Sequence, residues 1–231
     1  MEWLLKINML SQLKSLIKKR LKLSYRMNNK FIRSLSIGEF GDIIKQINSF
    51  SEYDKPRCYM LYQLTKHVQR LSGDIVEVGT FQGRTTKLLA KTTNKIVHSF
   101  DTFSGMPPID PAKDSPEAVW KGYEEATIEK VSKFLSDCEN VHLYKGLFPF
   151  TAKPIENISF CLAHIDVDIY KSVLDSCTFF YSRMVKEGII IFDDYGFSGC
   201  IGATKAVDEF FSDKPEHPIL LPTGQCLIIK M

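Results

Sequence analysis

Asp166 and Asp168 stand two residues apart beyond an apolar run, Phe160-Cys161-Leu162-Ala163-His164-Ile165. Such a run reads as a buried parallel strand, and in extended chain the i, i+2 spacing puts both carboxylates on one face. A second acidic pair, Asp193-Asp194, closes the run Gly188-Ile189-Ile190-Ile191-Phe192. Two strands that end in carboxylates suggest one shared site, because an open parallel sheet binds ligands beyond the carboxyl ends of its strands. Four converging carboxylates repel one another unless protons or a cation intervene. A hard divalent ion such as Mg²⁺, Mn²⁺ or Ca²⁺ takes oxygen ligands of this kind. The plainer alternatives are helix capping by Asp166 and Asp168, and a turn before Gly196 for Asp193 and Asp194. His164 shares the Asp166 face and reads as a hydrogen-bonded core histidine ahead of a substrate or metal contact.

A second constellation lies earlier, at Glu77-Val78-Gly79-Thr80-Phe81-Gln82-Gly83-Arg84-Thr85. Gly79 and Gly83 let the backbone bend and approach a ligand, and the helix start that follows favours an anionic group. Phe81 stands where a dinucleotide fingerprint needs its second glycine, so the ligand expected here lacks a pyrophosphate. Asp101 ends the next strand, 22 residues after Gly79. An acid at that separation commonly holds ribose hydroxyls. Together the turn and the acid suggest an adenosyl ligand carrying a carboxylate.

These residues need strand ends to stand on, and the chain supplies them. Strands are expected at Asp74–Gly79, Lys95–Asp101, Val141–Lys145, Phe160–Ile165 and Ile189–Phe192. Helices are expected at Arg57–Leu71, Arg84–Lys91, about 127–136, Ser172–Met184 and about 202–212, with a short one near Ile43–Phe50. Pro218–Leu221 and Cys226–Lys230 flank Pro222-Thr223-Gly224 and read as a terminal hairpin. Alternating strands and helices imply a doubly wound, Rossmann-like α/β fold with a mostly parallel sheet, an antiparallel C-terminal hairpin and N-terminal helices. Residues 102–126 carry Gly105, Pro107, Pro108, Pro111, Pro116 and Gly122 and read as a loop or lid. Trp120 and Tyr123 in it could stack on a sugar ring or anchor the loop. Gly146-Leu147-Phe148 could line an adenine pocket or simply pack.

The formal charge of +3 is unevenly spread: residues 1–36 carry nine Lys or Arg against Glu2, a balance of +8 that leaves −5 for the rest. A slightly acidic body argues against a nucleic-acid enzyme. Residues 1–24 show apolar residues at helical steps beside Lys14, Lys18 and Lys22. They read as a helix packed on the body or on a second subunit, which admits a homo-oligomer, or as a basic helix in peripheral contact with a membrane. The six cysteines form no CxxC pair, which fits a reducing, cytoplasmic setting. No run approaches transmembrane length.

The order Glu77-x-Gly79-x-x-x-Gly83, Asp101-x-Phe-x-Gly105-x-Pro107, His164-Ile165-Asp166-x-Asp168-x-Tyr170-x-Ser172 and Asp193-Asp194-Tyr195 resembles the macrocin O-methyltransferase family of class I S-adenosylmethionine-dependent enzymes. The resemblance covers about residues 57–231, the expected methyltransferase domain, and leaves 1–56 as a basic helical extension or lid. It implies an S-adenosyl-L-methionine site at Glu77, Gly79, Thr80, Gly83, Asp101 and Asp166. It implies Mg²⁺ or Mn²⁺ at Asp166, Asp193 and Asp194, with Asp168 as general base. The acceptor it implies is a hydroxyl of a sugar or glycosylated small molecule. A catechol-like phenol offers the same two adjacent hydroxyls. The competing readings are a glycosyltransferase that uses Asp166-Val167-Asp168 as a DxD, and a non-catalytic binding module.

Overall fold

The computed structural model describes residues 35, 37–47, 54–119 and 126–231. The helix expected over 1–24, and Trp120 and Tyr123, lie outside them. The chain divides into two compact units, Met1–Pro56 and Arg57–Met231. In the first, α1 (Gly38–Ile47) buries Phe40, Ile43, Ile44 and Ile47. It starts five residues earlier than the short helix expected near Ile43–Phe50 and carries Gly41 within it.

The second unit begins inside α2 (Asp54–Val68), which buries Cys58, Leu61, Tyr62 and Val68. This helix starts ahead of the expected Arg57, because Pro56 falls in its first turn, where a missing N–H costs nothing. Then come β1 (Asp74–Val78), α3 (Arg84–Thr92) and β2 (Val97–Asp101). After the long loop follow α4 (Ile128–Phe134), β3 (Val141–Lys145), β4 (Phe160–Ile165) and α5 (Tyr170–Phe180). The chain continues with β5 (Met184–Phe192), α6 (Ile201–Phe211), β6 (Ile219–Leu220) and β7 (Cys226–Ile229). The sheet order is β3-β2-β1-β4-β5-β7-β6. β1 to β5 are parallel, and β7 pairs antiparallel with both β5 and β6.

Period-two alternation sorts the central strands. Val76, Val78, Ala163, Ile165, Ile190 and Phe192 join a core with Phe180, Ala203, Val207 and Phe211 from α5 and α6. The opposite set includes Glu77 and His164, which are register partners across β1 and β4, while Ser99 partners Glu77 across β2 and β1. A row of three polar side chains therefore crosses the middle of the sheet on one face. Helix α5 stops at Phe180, four residues short of the expected Met184. A turn over Tyr181–Arg183 follows, and Met184 already belongs to β5. The first half of β5, with exposed Lys186 and Glu187, lacks the apolar run that marks its second half.

Candidate active site

At the carboxyl ends of the parallel strands lies an open pocket of about 640 Å³. Gly79 and Phe81 line it from the first turn, Asp101 from β2, and Thr102, Gly105, Met106 and Pro107 from the long loop. Gly146, Leu147 and Phe148 line it after β3, and Asp166, Val167 and Asp168 after β4. The switch in strand order falls here, with β2 on one side of β1 and β4 on the other.

Gly79 has φ 102 and packs against the backbone carbonyl of Asp166, so no side chain fits between the two strand ends. Its N–H donates to the Phe100 carbonyl at 2.9 Å. Asp101 accepts the N–H of Phe81 at 2.8 Å on one oxygen and that of Phe103 at 2.7 Å on the other. Phe81 and Phe103 have φ 46 and 49. One carboxylate thus holds two left-handed backbone turns in place and keeps lone pairs for a ligand hydroxyl. Gly83 caps α3 with φ 78.

The other predicted residues, Glu77, Thr80, Gly83, Asp193 and Asp194, stand back from the pocket wall. Glu77 is fully buried. It accepts from the Thr86 hydroxyl, from Ser99 Oγ at 3.1 Å, and lies 3.0 Å from His164 Nδ1. Thr80 shares a 2.7 Å hydrogen bond with Ser99. Asp193 is bonded to Arg57 by an ion pair, to the Gln225 amide at 2.7 Å and to His164 Nε2 at 3.4 Å. His164 therefore bridges Glu77 and Asp193 as a satisfied core histidine.

The four aspartates split into two donor sets. His164, Asp166 and Asp193 form one, and Asp168, Asp194 and Cys200 the other, with ligand atoms within 4.8 Å of one another in each. Burial pushes the Asp166 carboxyl well above its ordinary range, with Asp194 and Asp168 repelling in addition. Burial also raises Asp194, to about 7, and Asp168 adds to it, while Arg57 opposes. A cluster that resists ionisation in this way fits a divalent cation, whose charge would offset both causes.

Asp168 does not continue the strand. β4 ends at Ile165, and Asp168 has φ 57. The same-face spacing expected from extended chain therefore does not reach it. Its N–H donates to Asp194 at 3.0 Å, and Cys200 Sγ donates to its carboxylate at 3.5 Å. Burial raises the Cys200 thiol, with Asp194 and Asp168 adding repulsion.

Sequence reading missed Arg57, Gln225, Cys200 and Asp114. Arg57 also stacks over Phe197, 4.8 Å from the ring centre. Each meets its partner from a distant part of the chain, with no motif to announce it. Among the described residues no helix is long and apolar enough to cross a membrane.

No sequence among curated proteins matches the chain. Solved structures match its fold. The O-methyltransferase NovP is 22% identical, with a TM-score of 0.66 over 80% of this chain and 83% of that one. CalS11, a calicheamicin methyltransferase, is 16% identical, with a TM-score of 0.67 over 88% and 91%. An O-methyltransferase from Bacillus cereus, solved in complex with SAH, is 14% identical, with a TM-score of 0.52 over 76% and 81%. The model of the family "Macrocin-O-methyltransferase (TylF)" matches residues 55–219, which hold the glycine turn and all four aspartates. With a Rossmann-like sheet, a pocket at its switch point and that match over most of its length, this chain belongs to the macrocin O-methyltransferase family and is an O-methyltransferase.

Proposed function

We propose that the enzyme transfers the methyl group of S-adenosyl-L-methionine to a hydroxyl of a sugar or glycosylated small molecule, with Mg²⁺ or Mn²⁺ at Asp166, Asp193 and Asp194. The observation that carries this reading is one continuous pocket wall that runs from Gly79 and Asp101 to Asp166 and Asp168. Donor and acceptor ends of a methyl transfer need such a shared cavity. NovP is an O-methyltransferase, and CalS11 is described as a TDP-rhamnose 3'-O-methyltransferase, which supports a sugar acceptor.

In this reading Gly79 lets the backbone approach the ligand. The start of α3 attracts its carboxylate, and Asp101 accepts from its ribose hydroxyls. Glu77 and Thr80 hold the turn from behind through Ser99 and Thr86. Asp166, Asp193 and Asp194 would hold the metal, and the bonds of Asp193 to Arg57, Gln225 and His164 would orient it as a ligand. The cation would supply Lewis acidity and a template for a hydroxyl pair. Asp168, on the pocket wall, would accept the proton of the attacking hydroxyl. The hydroxyl oxygen forms the new bond to the methyl carbon, the sulfur–carbon bond breaks with its electron pair left on sulfur, and the proton goes to Asp168. In-line placement of oxygen, carbon and sulfur supplies most of the remaining acceleration.

The test incubates the protein with S-adenosylmethionine, Mg²⁺ and a panel of nucleotide-sugars, glycosides and catechols, read by mass spectrometry. The expected result is methylation of a sugar hydroxyl and release of S-adenosylhomocysteine. Methylation of catechols alone would overturn the sugar acceptor. Saturable binding of NAD with none of S-adenosylmethionine would overturn the cofactor.

A further inference from the structure

Helix α5 begins two residues after Asp168, and its own flanking residue cannot cap it. Ile169 stands at the cap position and offers no side-chain acceptor. The acceptor comes instead from Asp114, 56 residues earlier, whose Oδ1 takes the Tyr170 N–H at 2.7 Å. Its Oδ2 takes the Asp110 N–H at 2.9 Å. Asp114 is buried. It lies directly over Gly202 of α6, where any side chain would overlap its carboxylate.

The segment between these anchors is strained. Ile169 donates to the Val167 carbonyl at 2.5 Å, closing a three-residue turn around Asp168 at φ 57. Such turns are rare and persist only where the surroundings over-determine them. Two carboxylates do so here. Asp194 holds the N–H of Asp168 itself, and Asp114 holds the N–H two residues on. Asp114 also belongs to the long loop, whose earlier residues Thr102, Gly105, Met106 and Pro107 wall the pocket. The loop is pinned beside it by a 2.7 Å Lys113–Glu209 pair and by Lys205 Nζ donating to the Lys113 carbonyl at 2.9 Å.

We infer that Asp114 is a positioning residue: it ties the loop that walls the pocket to the strained turn that carries Asp168, so that ordering the wall and setting the base are one event. The inference rests on the proposal that the pocket binds the methyl donor and that Asp168 is the base. Asp114 touches neither and acts through the Tyr170 amide.

Hydrogen–deuterium exchange of the full chain tests this, with and without S-adenosylhomocysteine as probe, following residues 166–172 and, as a fold control, strand β4. Without ligand, Asp114→Ala should speed exchange over 166–172 by about tenfold, the effect of losing one ordering hydrogen bond, while β4 stays protected. Asp114→Asn keeps an oxygen for the Tyr170 N–H but turns its NH2 on the Asp110 N–H, so it should restore only part of the protection. Asp114→Leu, which fills the space without an acceptor, should exchange as fast as Asp114→Ala, and protection kept in it would reduce Asp114 to a space-filler and overturn the inference. In the wild type the probe should slow exchange over 166–172, and in Asp114→Ala it should bind without doing so. Unchanged exchange at 166–172 in both Asp114→Ala and Asp114→Leu would overturn the inference. Failure of the wild type to bind the probe would overturn the cofactor assignment instead, and the ligand-free comparison would still decide the role of Asp114.

Discussion

Asp168 hands its backbone N–H to the Asp194 carboxylate at 3.0 Å, so the proposed base and a proposed metal ligand are held by each other. Their side chains nevertheless do different work in the proposed mechanism. Asp168→Asn should lower turnover by roughly 10²–10⁴-fold, the usual contribution of a general base, with metal affinity nearly unchanged. Asp166→Asn, Asp193→Asn and Asp194→Asn should weaken metal binding, and excess metal should restore part of their activity. Metal titration of turnover beside calorimetric metal binding separates the two classes. Full rescue of Asp168→Asn by metal would make it another ligand.

The raised carboxyls predict how stability follows pH. Asp194 binds its proton more tightly in the folded chain than in the unfolded one, where its ordinary value is 3.8. Between that value and about 7 the folded state holds the extra proton, so stability falls as pH rises through the window. Asp166 shifts in the same direction. The metal-free protein should therefore melt higher near pH ~5.5 than near pH ~8, and Mn²⁺ should restore much of the loss at the higher value. Asp194→Asn should flatten the dependence. Calorimetric scans across pH, with and without Mn²⁺, read this directly.

Arg57 is the cation that opposes both upward shifts. Arg57→Met keeps the aliphatic stem and removes the charge. It should destabilise the metal-free fold by about 2 kcal/mol, between the values for exposed and buried pairs. It should also move the pH dependence to higher pH. Urea unfolding at two pH values tests both parts. An unchanged midpoint with an unchanged pH profile would remove Arg57 from the cluster.

Gly79→Ala should be costly out of proportion to one methyl group. The left-handed backbone alone accounts for about 1–3 kcal/mol. The new carbon would also overlap the Asp166 carbonyl and part the two strand ends that wall the pocket. We expect a lower melting temperature together with loss of S-adenosylhomocysteine binding in isothermal titration. A folded variant with intact affinity would show that the turn does not shape the donor site.

The basic segment over residues 1–24 lies outside the family match, which begins at residue 55. Deleting it should leave S-adenosylhomocysteine binding intact and reduce any adhesion to anionic vesicles. Loss of turnover with binding preserved would assign the segment to closing the site.

The sheet was legible because its central strands are short apolar runs that end in turn-forming or charged residues. β3 and β4 fall at the limits read from the residues alone. The start of β5 was hidden, since Val185-Lys186-Glu187 carries no buried alternation. The aspartates were legible as a set, because strand-end acids are few. Their internal division was not. Extended spacing placed Asp168 on the Asp166 face, but a three-residue turn re-aims it. Arg57 and Gln225 flank Asp193 from opposite ends of the domain, and no local period links such positions.

Strand β7 has a consequence for how the protein is made. It runs antiparallel beside β5, and the chain leading into it brings Gln225 to Asp193, 32 residues after that acid is synthesised. Until β7 docks, β5 is an open edge whose unpaired backbone can recruit a strand from another chain. A chain synthesised only as far as β5 therefore carries its acids with their scaffold unsealed, and docking of the β6–β7 hairpin both completes that scaffold and covers the vulnerable edge.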